Sequence, residues 1–91
     1  MSTSPGPFDT DRPYRLPDHV SLRREDFGAL IYDHETRQLL FLKSDTLADV
    51  VERVGDYPSA AAALDALAPG SAAVHRSLQR LADGGMLRVA D

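Results

Sequence analysis

The sequence predicts an α+β domain in which a three-stranded antiparallel meander is followed by three helices. Three observations carry this reading. Residues 19–43 hold three apolar runs of strand length, and after Lys43 the apolar period changes to that of a helix. Each helical stretch then opens on a serine and closes on glycine.

Residues 1–17 carry Pro5, Pro7, Pro13 and Pro17 among Ser, Thr and Gly, so they read as a flexible tail with few continuous backbone donors. Phe8, Tyr14 and Leu16 are the residues able to tack it down, and a single domain is expected over 18–91. The first strand is expected at 19–24, where Val20 and Leu22 alternate with Ser21 and Arg23. The second and third strands are expected at 27–32 and 37–43, joined by a turn of Asp33, His34, Glu35 and Thr36.

After the third strand, Ser44 or Asp45 caps a helix whose apolar positions are Leu47, Val50, Val51 and Val54, with Gly55 closing it. Ser59 caps a short Ala-rich helix with Leu64 and Leu67, ended by Pro69-Gly70. Ser71 starts a third helix with Val74, Leu78, Leu81 and Ala82 inward, ended by Gly84-Gly85, and residues 86–89 read as a short extended tail.

At 91 residues there is room for one small core, whose modest stability a partner can supplement. Hydrophobic residues at 43% and charged residues at 26% exclude global disorder. Ten Lys plus Arg against 14 Asp plus Glu leave a net charge of −4, which disfavours binding of a phosphate backbone. The lack of cysteine excludes disulfides, thiolate nucleophiles and Cys-ligated metal clusters. The start lacks a signal-peptide pattern and no run approaches a membrane span, so a cytoplasmic chain without membrane contact is expected.

Catalytic and metal readings find little support. His19, His34 and His75 share no metal-ligand spacing, and Asp33-His34-Glu35 reads as a polar turn. The serines sit in the tail, at a strand end or at helix caps, where local hydrogen bonding explains them. No cofactor is implied.

The third strand carries more information. It is an open edge in a meander, and charge guards it only at the ends of Arg37-Gln38-Leu39-Leu40-Phe41-Leu42-Lys43. Leu40 and Leu42 face one side while Leu39 and Phe41 face the other, so the strand is apolar on both faces and three short helices cover one. An extended peptide is one partner for this edge. The N-terminal tail, or a homodimer through the sheet, would also cover it. On the third helix, Ala73, Ser77 and Arg80 form a mostly small flank along which an extended backbone could lie. A second reading takes the last two helices as a helix-turn-helix with His75, Arg76, Gln79 and Arg80 as DNA readers. The net charge and the scarcity of other cations after residue 43 oppose nucleic-acid binding.

The stretch Arg24-Glu25-Asp26-Phe27-Gly28-Ala29-Leu30-Ile31-Tyr32, followed by Gln38-Leu39-Leu40-Phe41-Leu42-Lys43-Ser44, resembles the peptide chaperones of mycofactocin biosynthesis, relatives of the pyrroloquinoline quinone biosynthesis chaperones. The resemblance implies a RiPP recognition element, a winged-helix-like fold that binds the leader of a ribosomally made precursor peptide. The leader would add as a strand beside residues 37–43, in a groove bordered by the third helix near Ala73, Ser77, Arg80 and Leu81. It also implies a non-catalytic role, with the precursor presented to a radical S-adenosylmethionine maturation enzyme that holds the iron–sulfur clusters.

Overall fold

A computed structural model of the chain describes residues 8–90. Tyr14–Arg15 form β1, Val20–Glu25 β2, Gly28–Asp33 β3 and Leu39–Leu42 β4. Asp45–Arg53 form α1, which runs into a 3-10 turn at Val54–Asp56; Ala60–Leu67 form α2, Ala72–Asp83 α3 and Arg88–Val89 β5. The expected order of three strands and three helices is present, with β1 and β5 added as a separate antiparallel ribbon.

The main sheet is antiparallel in the order β2-β3-β4. Each of its strands departs from the expected bounds for a local reason. β2 and β3 begin and end one residue later, because Asp26 and Phe27 form a two-residue turn. Gly28 follows that turn with φ +140°, a backbone conformation that L side chains rarely adopt. A Cβ at this position would overlap the carbonyl oxygen of Leu42, so glycine lets β4 close on β3.

The third strand is shorter than the expected 37–43. Asp33 holds the preceding turn: its carboxylate accepts from the Glu35 and Thr36 amides at 2.8 and 3.1 Å, and its carbonyl from the Arg37 amide at 2.8 Å. This wraps the chain until Arg37 stands at φ +63°, so extended pairing starts beyond it.

The helices form where the serines place them. Ser44, Ser59 and Ser71 accept from the amides of Leu47, Ala62 and Val74 at 3.1, 3.1 and 3.2 Å, each taking up a donor that the first turn would leave unpaired. α1 is the hub of the packing, touching β3, β4, α2 and α3. Its Leu47, Val50 and Val51 are buried, as is Val54 just beyond it, and each such side chain contributes roughly 1.5–3 kcal/mol of burial. Val74, Leu78 and Leu81 of α3 and Met86 complete the core around Ile31.

The N-terminal segment departs from the expected tail. The amides of Ala60 and Ala61, which head α2 and lack helical partners, donate to the Arg12 and Thr10 carbonyls at 2.9 and 2.8 Å. β1 pairs Tyr14 with Val89, and Tyr14 is only 4% exposed. The fold therefore begins well before residue 18. Of the residues expected to tack the segment down, Tyr14 joins the core, and Phe8 and Leu16 pack against it partly buried. Residues 1–7 of the expected tail lie outside the described residues.

Candidate functional site

β4 is the edge of the main sheet, and among the described residues no strand pairs with its outer side. Its register follows from one bond: the Asp33 amide donates to the Gln38 carbonyl at 2.9 Å, and the ladder then pairs Ile31 with Leu40 and Ala29 with Leu42. Antiparallel pairs alternate between bonded and non-bonded. Leu40 and Leu42 therefore direct their main-chain groups at β3, while the N–H and C=O of Leu39 and Phe41 point away from the sheet. The edge offers two donors and two acceptors on alternate residues, the arrangement an added strand requires.

The same alternation sorts the side chains. Leu42 is buried and Leu40 half-buried on the side covered by α1, whereas Leu39 and Phe41 are 47% and 59% exposed on the other face. Phe27, 45% exposed, reaches from the β2–β3 turn to set its ring 5.9 Å from that of Phe41. Leu30 and Tyr32 of β3 lie opposite Phe41 and Leu39 on this face. Sequence reading had Phe27 inside a strand and missed its part in this patch. The following glycine was the available signal, since it marks the turn that swings the ring outward.

The other expected site residues fall as follows. Arg37 and Gln38 lie in the turn before β4 and Lys43 just after it, and Arg37 and Lys43 are exposed. The ends of the edge thus carry positive charge. On α3, Ala73 and Arg80 are exposed, Ser77 is half-buried and Leu81 buried, so one flank of the helix is open while Leu81 anchors it to the core.

Charges elsewhere on the sheet are paired. Arg24 donates to Asp49 and Glu52 of α1 at 2.8 and 3.2 Å, and the hydrogen bond to Asp49 foremost raises its pKa. The Asp33 carboxyl is held below its ordinary range, chiefly by the Thr36 amide, with burial opposing the shift. His19 stands 3.8 Å from Asp33 and 3.7 Å from Glu35. Among the described residues no group of three or more His, Asp or Glu could hold a metal ion. No described helix is long and apolar enough to cross a membrane.

Comparison with known proteins bears on the family and the fold. The peptide chaperone MftB of Mycobacterium tuberculosis (strain ATCC 25618 / H37Rv) is 51% identical over 51 residues, covering 56% of this chain and 47% of that protein. That of Mycolicibacterium smegmatis (strain ATCC 700084 / mc(2)155) is 48% identical over 57 residues, or 63% and 56% of the two chains. That of Mycobacterium ulcerans (strain Agy99) is 49% identical over 53 residues, or 58% and 49%. The chain spans about half the length of these curated relatives.

Among solved structures, a lasso peptide synthetase B1 complexed with the leader peptide superposes with a TM-score of 0.64, covering 84% of this chain and 98% of that one at 23% identity. That likeness gives the fold, an antiparallel three-stranded sheet followed by three helices. The model of the peptide chaperone MftB family matches residues 13–88, from the residue before β1 into β5. Because that match takes in every helix and all the strands of the main sheet, the chain belongs to the MftB peptide chaperone family.

Proposed function

We propose that this chain is a non-catalytic chaperone that takes the leader of a ribosomally made precursor peptide as an added strand on β4. The observation that carries the reading is the outward main chain of Leu39 and Phe41, which gives a docked backbone four hydrogen-bonding groups without disturbing the ladder to β3. Residues 37–43 form the dock, and the flank of α3 at Ala73, Ser77, Arg80 and Leu81 borders it. The family name supports a peptide partner, and the likeness to a protein complexed with a leader peptide supports a leader as that partner. The complex is then presented to a radical S-adenosylmethionine maturase in mycofactocin biosynthesis, where holding the precursor raises its effective concentration at the enzyme.

The reading is tested by isothermal titration with a synthetic leader of the precursor encoded beside this chain, using random duplex DNA as control. Saturable one-to-one peptide binding is expected. A leader N-methylated at the amides that pair with Leu39 and Phe41 should bind at least about tenfold more weakly, since each lost hydrogen bond is worth roughly 1 kcal/mol. Equal binding of the methylated leader would remove strand addition, and salt-sensitive DNA binding in its place would favour a nucleic-acid regulator.

A further inference from the structure

We infer that the outer face of the sheet selects what the edge docks: the added strand carries two large apolar side chains, two residues apart, that pack beside Leu39 and Phe41. This rests on the strand-addition reading above and extends it to the chemistry of the peptide.

The pattern of exposure across the outer face leads there. Tyr32 has Ser21 on one flank and Leu39 on the other, and Leu30 has Arg23 and Phe41, so both are half-buried. Leu39 and Phe41 have a neighbouring strand on one flank alone and are 47% and 59% exposed. The vacant flank is where the next strand of the sheet would lie. In that strand the residues opposite Leu39 and Phe41 stand two apart, with their side chains on the outer face and the residue between them turned to the helix side. Apolar side chains at these two positions would extend the patch of Phe27, Phe41, Leu39, Leu30 and Tyr32. Charged ones would lie against exposed apolar surface and gain nothing.

A second copy of the chain fits the same edge poorly. β4 is four residues long, about 13 Å, and an edge of that length with three large exposed apolar side chains falls short of the roughly 1,200 Å² that stable interfaces bury. In the antiparallel register that sets Leu39 against Phe41 of the copy, Arg37 of one copy and Lys43 of the other would come to the same end of the paired strands, where like charges are unfavourable. A peptide brings no fixed cation to the ends of the edge.

The test combines the double variant Leu39→Thr, Phe41→Thr with a threonine scan of the synthetic leader. Threonine keeps strand propensity and the outward main chain while removing the apolar surface. The variant should melt like the parent and bind the leader about tenfold more weakly, the weight of two cross-strand pairs. Two leader positions, two residues apart, should weaken binding to the parent when changed to threonine and add little further loss with the variant. If the double variant melts early, Phe41→Thr alone is used. Parent-like affinity of the variant overturns the inference, and if the N-methylated leader still fails to bind, strand addition itself stands. A methylated leader that binds normally removes the underlying reading instead. A change in sedimentation with leader affinity unaltered would assign the face to a second copy and overturn the inference.

Discussion

Gly28 lies so close to Leu42 that a single added methyl would overlap the Leu42 carbonyl oxygen. The turn after β2 is thereby fixed to the end of the open strand. Gly28→Ala combines that overlap with a φ of +140°, and should destabilise the fold by about 2 kcal/mol or more. Urea unfolding checks this, and leader affinity should fall as well because the end of β4 must move.

Proline substitutions separate the two sides of β4. The Leu39 amide points out of the sheet, so Leu39→Pro should leave the ladder to β3 intact and weaken leader binding, more than Leu39→Ala does. Leu40→Pro removes a donor directed at β3 and should unfold the sheet. Melting curves and titrations of the three variants distinguish these outcomes.

Tyr14 is 4% exposed and its hydroxyl accepts from the Asp9 amide at 3.0 Å. Tyr14→Ala should cost about 3 kcal/mol, as large-to-small core changes do. Deletion of residues 1–17 removes the same side chain, and should lower Tm rather than simply free the β4 edge for the leader.

Asp33 predicts a pH dependence. Its carboxyl has a pKa below the ordinary 3.8 in the folded chain, held there chiefly by the Thr36 amide. A depressed folded pKa contributes stability that is present above the unfolded value and lost as pH falls through the folded one. Tm should therefore drop on acidification below about pH 4. Asp33→Asn should lower Tm at neutral pH and flatten that part of the acid decline.

Much of this fold was legible because it follows local rules. Ser44, Ser59 and Ser71 announced their helices, and the spacing of Leu47, Val50, Val51 and Val54 gave the buried face of α1. The pairing of Tyr14–Arg15 with Arg88–Val89 was not legible, since it joins segments at opposite ends of the chain and two-residue strands have no period to read. The turn at Asp33 was legible, but not that its bonds to backbone amides would leave Arg37 at φ +63° and shorten β4. At the β4 edge, the alternation of Leu39 and Phe41 with Leu40 and Leu42 was readable from strand geometry. Phe27 was not, because its place in the patch depends on a turn rather than on the period of a strand.

Amide hydrogen exchange, resolved by residue with and without the synthetic leader, tests strand addition most directly. Leu40 and Leu42 already donate into the sheet and should be protected in both states, whereas the outward amides of Leu39 and Phe41 should exchange fast alone and slow markedly on adding leader. Saturating leader that leaves exchange at Leu39 and Phe41 unchanged would contradict docking on β4.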